Sequence, residues 1–262
     1  MSTGLVVGVD GQIGSFFFSE YLHNSGHELV GTTRNRSLIS ERKIFLDLDS
    51  NPVDVPDFSQ YSFAVICASL TDVQCCEENW ELCKRVNVTN TIHIIERAVT
   101  SGCFVVFLSS NLVFDGSKPF CTPLDAPKPA SNYGKAKHCV EEFISSDCGH
   151  FACVLRLTKV ISDKTPFIQK WKKDASQKGI ISVLRHKTLA PVGVDEVAGA
   201  IRRCLDARLP GTFQLGGKTE FTYEDYATFL FQNMGSSPPQ MRVIDSFSGA
   251  GIEYNSLATV LP

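Results

Sequence analysis

The chain has 262 residues, 43% of them hydrophobic and 20% charged, with a formal net charge of −3. That balance supports a packed globular chain and argues against a nucleic-acid partner, since there is neither a basic excess nor an acidic tail. The length suits one large domain, or a nucleotide domain with a smaller lobe, and its core needs neither disulfides nor metals.

Residues 4–9 predict a short apolar strand, followed by a glycine-rich turn. A helix is predicted over 13–24, where Ile13, Phe16, Phe17 and Tyr21 share a face and Gly26 stops the run. Strands follow at 28–33, 43–46 and 62–67, the last apolar nearly throughout, as in a strand covered on both faces. Helical spacing runs over 77–101 with a break or bend near Asn87. A strand at 103–108, a helix at 133–145 and a strand at 151–157 come next. After about residue 160 the rhythm loosens, with helices at 165–178, 194–207 and 223–232 between short strand-like pieces. This alternation implies an α/β fold, a Rossmann-like doubly wound parallel sheet with a small C-terminal substrate lobe. Residues 1–160 are the expected nucleotide-binding domain. Residues 161–262 are expected to form mainly the substrate lobe, interleaved with the last strands of the main sheet.

No apolar run reaches the length of a membrane span, and Leu5-Val6-Val7 leads directly into the glycine turn, so a cytoplasmic chain without a signal peptide is expected. The ten cysteines include no Cys-x-x-Cys pair, and Cys67, Cys103 and Cys153 lie in apolar runs, which implies reduced thiols serving as small hydrophobes. The six histidines show no ligand spacing, so no metal is expected, and His186 reads as part of a solvated loop.

Gly8-Val9-Asp10-Gly11-Gln12-Ile13-Gly14 lies between the first strand and the first helix. In that context Gly8 permits a tight turn, Gly11 a close backbone approach to a pyrophosphate, and Gly14 close helix–sheet packing. Gln12 and Ile13 open the helix whose N-terminus would face the phosphates. The end of the second strand lacks the acidic residue that binds the ribose 2′-hydroxyl of NAD(H). It reads Gly31-Thr32-Thr33-Arg34 instead, and a guanidinium there suits the 2′-phosphate of NADP(H). NAD(H) is the less favoured cofactor. Arg36 alone reads as a solvated basic residue.

Tyr133 and Lys137 form a Tyr-x-x-x-Lys pair at the start of a predicted helix, and their spacing puts them on one face. The lysine ammonium is expected to favour the phenolate, lowering the tyrosine's ordinary value of ~10. Upstream, Ser109-Ser110 ends an apolar strand, where a hydroxyl faces the ligand crevice. Ser110 is the chosen catalytic hydroxyl, to orient a substrate carbonyl, and Ser109 is the alternative.

With these motifs in hand, the chain resembles the dTDP-4-dehydrorhamnose reductase family within the extended short-chain dehydrogenases/reductases, over nearly its whole length. Asp47-Leu48-Asp49 resembles the family's adenine-contacting segment, and Cys67-Ala68-Ser69-Leu70-Thr71 its small-residue run beside the cofactor. The resemblance thereby implies cofactor contacts from Asp47, Leu48, Ala68, Ser69 and Thr71, and from Tyr133 and Lys137. Asn87 matches an asparagine of the middle helical region. The family's Ser-Thr-Asp-Tyr-Val-Phe-Asp-Gly stands here as Ser109 to Gly116, altered at Ser110, Asn111 and Leu112. Arg156-Leu157-Thr158 resembles the strand end after the catalytic helix, and Pro191, Asp195 to Ala198 and Gly211 to Gly217 resemble later segments. Ser110, Asn111 and Arg156 are the implied substrate contacts.

Related dehydratases carry an acidic pair after the catalytic hydroxyl; Asn111 and Leu112 cannot do that work. The family's tyrosine at the Leu112 position is absent, and its proline-threonine segment is Leu189-Ala190-Pro191-Val192 here. The expected function is NADPH-dependent reduction of a keto group on a nucleotide-activated sugar, a small-molecule substrate. The alternatives are a sugar-nucleotide epimerase with the same triad and a non-catalytic, cofactor-bound regulatory or binding subunit. A homodimer is a superfamily prior.

Overall fold

Seven parallel strands form the central sheet of the computed structural model, which describes residues 3–24, 28–50, 53–245 and 254–262. In chain order come β1 (Thr3–Val7), α1 (Gln12–Asn24), β2 (Glu28–Thr33), β3 (Lys43–Phe45) and β4 (Phe63–Ile66). Two short helices, α2 (Val73–Glu78) and α3 (Trp80–Lys84), lead through a π-helical turn (Arg85–Thr89) into α4 (Asn90–Thr100). Then follow β5 (Phe104–Ser110), α5 (Asn132–Asp147), β6 (Ala152–Leu157), β7 (Lys159–Ile161), α6 (Pro166–Lys178) and β8 (Ile180–Leu184). The chain continues with β9 (Thr188–Leu189), β10 (Pro191–Gly193), α7 (Val194–Ala207), β11 (Gly211–Leu215), β12 (Phe221–Thr222), α8 (Tyr223–Asn233) and β13 (Gln240–Ile244).

The sheet order is β11-β6-β5-β4-β1-β2-β3, so the winding reverses between β1 and β4 and opens a crevice at the carboxyl ends there. The strands are apolar on both faces because both are covered. Leu5, Val7, Ala64, Ile66, Val105 and Phe107 pack on Ile94 and Ile95 of α4 and Val140 and Ile144 of α5. The alternate positions Val6, Val65, Val106, Leu108 and Leu155 meet Phe17 of α1 and Val197 and Ile201 of α7. The doubly wound α/β architecture is therefore the one the strand–helix alternation implies.

A separate cluster, including Ile168, Trp171, Ile181, Leu189, Tyr226 and Phe231, joins α6, β8, β9 and α8 into a lobe. Its Trp171 indole donates to the Ser182 carbonyl at 2.8 Å. Between lobe elements the chain returns to the sheet, with α7 under it and β11 paired to β6 as an edge strand. All ten cysteines are free thiols. Among the described residues no helix is long and apolar enough to cross a membrane.

The stretch expected as one bent helix over 77–101 begins earlier and is built in pieces. Asp72 caps α2 by accepting from Cys75 N–H (3.0 Å), and Asn79 stops α2 and caps α3 by accepting from Leu82 N–H (3.0 Å). The expected break near Asn87 is the π turn. Gly26, expected to end α1, lies outside the described residues.

Candidate active site

The turn after β1 has the geometry of a phosphate cradle. Gly8 has φ +91°, a left-handed value that favours glycine, and a Cβ there would sit 2.8 Å from the Ala68 backbone. A Cβ on Gly14 would lie 2.2 Å from the Gly8 carbonyl oxygen, so only glycine lets α1 start this close to the turn. Gly11 is exposed at the rim, Gln12 and Ile13 open α1, and Ile13 sends its side chain into the core, leaving only its backbone N–H for a ligand. Gln12 instead reaches away, donating to Val160 O and Thr165 Oγ1, both at 3.3 Å. This glycine cradle at a helix N-terminus fits a dinucleotide pyrophosphate.

The turn is stitched to the end of β2. Gly8 N–H donates to Thr32 Oγ1 (3.0 Å), the Thr33 hydroxyl donates to the Asp10 carboxylate, and Lys43 Nζ lies 3.5 Å from Asp10 Oδ1. Arg34 follows Thr33 and is exposed. Arg36, expected to be merely solvated, stacks 3.9 Å above the Phe45 ring. Of the adenine-side candidates, Asp47 is half-buried and accepts from Asp49 N–H (3.0 Å). Leu48 has its side chain in the core and its carbonyl bound by Asn90 Nδ2 (2.8 Å), so its side chain is not offered to a ligand.

The β4–α2 loop forms the opposite wall. Asn87, 2% exposed, accepts from Ser69 Oγ (2.9 Å) and Leu70 N–H (2.7 Å) and donates to Leu70 O (2.9 Å). One buried amide thus holds the run Ala68-Ser69-Leu70 against the mouth of the turn, while Thr71 stays exposed.

Tyr133 and Lys137 lie one turn apart near the start of α5, which Ser131 caps by accepting from Gly134 N–H (3.1 Å). Gly134 is close-packed, since a Cβ would be 2.0 Å from Leu112 O. Lys137, 4% exposed, donates to the Leu108 carbonyl at 3.0 Å and sits 4.6 Å from the Phe107 ring centroid. Burial lowers the Lys137 ammonium to about 8, with Glu141 pulling it back up. Tyr133 departs from expectation, because burial pushes its phenol well above the usual range and only a hydrogen bond with Ser69 works the other way. Lys137 is 5.8 Å from the tyrosine ring centroid with one of its three N–H donors on the Leu108 carbonyl, so enclosure outweighs the ammonium.

The two serines at the end of β5 have different company. Ser109 is buried and donates to Glu141 Oε1 at 2.5 Å. Ser110 is half-buried, accepts from Leu112 N–H (3.2 Å) and contacts Asn111 Oδ1 at 3.3 Å. Two expected substrate contacts are otherwise engaged. Arg156, 4% exposed, is spent on Glu141 (2.7 Å) and Gln214 (3.3 Å), which leaves it no face for a substrate. Asn111 donates to Asn255 Oδ1 (2.8 Å), and Asn255 Nδ2 in turn donates to Thr188 O (2.9 Å), so its amide anchors the C-terminal segment to the lobe. Nothing in the local sequence marked Asn255, Glu141 or Asp10; each acts through a partner distant in the chain.

The fold and this site define an NAD(P)-dependent oxidoreductase of the extended short-chain dehydrogenase/reductase type. The family model described as RmlD substrate binding domain matches residues 2–250, and the chain belongs to that family. A probable low-salt glycan biosynthesis reductase of Haloferax volcanii is 27% identical over 88% of this chain and 79% of its own. The methionine adenosyltransferase 2 subunit beta of Bos taurus is also 27% identical, over 85% of this chain and 69% of its own. In structure, the dTDP-4-dehydrorhamnose reductase of Bacillus anthracis in complex with NADP superposes with a TM-score of 0.84 at 17% identity, over 99% of this chain and 90% of that one.

Proposed function

We propose that the chain is an NADPH-dependent reductase of a keto group on a nucleotide-activated sugar. The observation that carries this reading is the buried Tyr133–Lys137 pair, one turn apart on α5 with Lys137 bound to the Leu108 carbonyl near the end of β5, in a fold whose first turn is a glycine cradle that fits a dinucleotide. The glycine cradle would hold NADPH by its pyrophosphate and Arg34 by its 2′-phosphate, and the cofactor would supply the hydride for reduction of the carbonyl carbon. Tyr133 donates its hydroxyl proton to the carbonyl oxygen, and burial keeps the phenol protonated until it is used. The Ser110 hydroxyl accepts from Leu112 N–H (3.2 Å) and donates only over 3.3 Å to Asn111 Oδ1, so its proton can be redirected to orient the carbonyl. Lys137 supplies positive charge beneath the tyrosine and a donor for a ribose hydroxyl. Backbone N–H groups at Gln12 and Ile13 meet the pyrophosphate, and Ala68, Ser69 and Thr71 line the wall held by Asn87.

The test is NADPH consumption with dTDP-4-dehydrorhamnose and with a UDP-linked keto sugar. Stoichiometric alcohol formation that drops by about 10²–10⁴ in Tyr133→Phe, with the fold unchanged, supports the reading. Interconversion of stereoisomers without net NADPH loss would make the protein an epimerase. Tight dinucleotide binding with no turnover of either sugar would favour a non-catalytic role as a subunit of another assembly, and the bovine relative is by its name a subunit.

A further inference from the structure

An acidic group does stand at the end of β2, although no residue of β2 supplies it. Asp10, from the glycine turn, reaches across and takes the Thr33 hydroxyl on one carboxylate oxygen, while Lys43 Nζ lies 3.5 Å from the other. Thr33 is the last residue of β2, and its hydroxyl also accepts from Asn35 N–H at 3.0 Å, which aims the contact. Gly31 allows the approach, since a Cβ there would lie 2.4 Å from the Val9 side chain. The side chains of Asp10 and Lys43 are about one-third exposed, 36% and 30%, so the carboxylate keeps acceptor capacity toward solvent and is only partly compensated. The C-terminal end of β2 is where doubly wound folds meet the adenosine ribose.

We propose that Asp10 is the residue that reads the ribose 2′ position, accepting from a 2′-hydroxyl and opposing a 2′-phosphate. It acts against Arg34, with Lys43 moderating its charge. The outcome is a site that accepts both NAD(H) and NADP(H) rather than one closed to NADH. This rests on the reading of the cradle as a dinucleotide site and refines the preference assigned to it.

The measurement is direct binding of NADPH and NADH, by fluorescence titration, to wild type, Asp10→Asn and Lys43→Ala, with melting temperatures as a fold control. Asparagine keeps an acceptor for Thr33 and removes only the charge. Asp10→Asn is expected to shift the NADPH-to-NADH affinity ratio toward NADPH by on the order of tenfold, the scale of one charged contact. Lys43→Ala, leaving Asp10 uncompensated, is expected to shift it toward NADH. Ratios unchanged in both folded variants would overturn the assignment to Asp10 while leaving the dinucleotide site standing. Failure of every folded form to bind either nucleotide would overturn both.

Discussion

The Glu141 carboxylate on α5 and the Arg156 guanidinium on β6 form a buried ion pair, with Nη2 2.7 Å from Oε2 and Nε 3.0 Å from Oε1. Ser109 of β5 donates to the same carboxylate (2.5 Å), and Gln214 of β11 joins Arg156 (3.3 Å) to the carbonyls of Cys121 (2.8 Å) and Ala258 (3.1 Å). One network therefore ties α5 to three strands and the C-terminal segment. Breaking such a pair strands a buried charge, whereas replacing both partners with apolar residues removes the desolvation cost as well. Glu141→Leu and Arg156→Met are each expected to cost about 3–5 kcal/mol in urea unfolding, and the double variant much less than their sum. Additive losses would show that the two residues stabilise the fold independently.

The low Lys137 value gives a pH signature with a definite sign. Burial holds the folded-state ammonium near 8, below the ordinary lysine value of 10.5, so the charged form proposed to act beneath Tyr133 is present below about 8 and lost above it. Reductase kcat/KM is expected to fall as pH rises through about 8, while a Lys137→Met variant is low and lacks this limb. Stability responds in the opposite direction. Between about 8 and 10.5 the unfolded chain binds more protons than the folded one, so the wild type should gain stability with rising pH relative to Lys137→Met. A wild-type rate that holds level through this window would mean that the lysine's charge does not matter to the reaction.

Strands buried on both faces, such as β4 and β5, were legible because they need an uninterrupted apolar run, and α7 matched its expected bounds because its apolar face has a clean helical period. The glycine turn and the Tyr133–Lys137 spacing are local patterns and equally legible. What stayed hidden are pairings between distant segments. Arg156 reads from sequence as a strand-end cation available to a substrate, and only its neighbour on α5 shows that the charge is spent. Asp10 looks like a loop residue until Thr33 is seen beside it. The break at Asn87 was visible as an irregularity, but the loop it serves lies 17 residues away.

The three glycines of the turn should separate by experiment, because their crowding differs. A Cβ on Gly14 would strike the Gly8 carbonyl at 2.2 Å, and Gly8 is held at φ +91°, so alanine at either position forces backbone movement. Each of these variants is expected to lose about 2–4 kcal/mol of stability along with dinucleotide binding. A Cβ on Gly11 would meet only the Gly8 oxygen, at an ordinary 3.6 Å. Gly11→Ala is therefore expected to unfold within about 0.5–1 kcal/mol of wild type yet bind the dinucleotide more weakly, since its Cβ obstructs only the approach to the phosphates. Equal affinity in Gly11→Ala and wild type would remove Gly11 from the cofactor contacts.

Asn87 connects the π turn to the ligand wall, and its removal should loosen one without melting the other. Its oxygen accepts from Ser69 and Leu70 and its nitrogen donates to the Leu70 carbonyl, all at 2.9 Å or less, in a site closed to water. Asn87→Ala leaves the Leu70 N–H unpaired and its C=O with only the Cys76 thiol at 3.6 Å, for an expected cost of about 1–3 kcal/mol. The loss should be local, because β5 and β6 keep their ladder. Hydrogen exchange is expected to rise at the Leu70 amide while the Val105 and Val106 amides stay protected, and dinucleotide affinity should drop as Ser69 is released. Since Ser69 also bonds to Tyr133, the same variant should change the alkaline titration of the phenol, whereas Asn90→Ala, which frees the Leu48 and Ser50 carbonyls instead, should not. Unchanged exchange at Leu70 in a folded Asn87→Ala protein would mean that the wall stands without the amide and that the π turn serves packing alone.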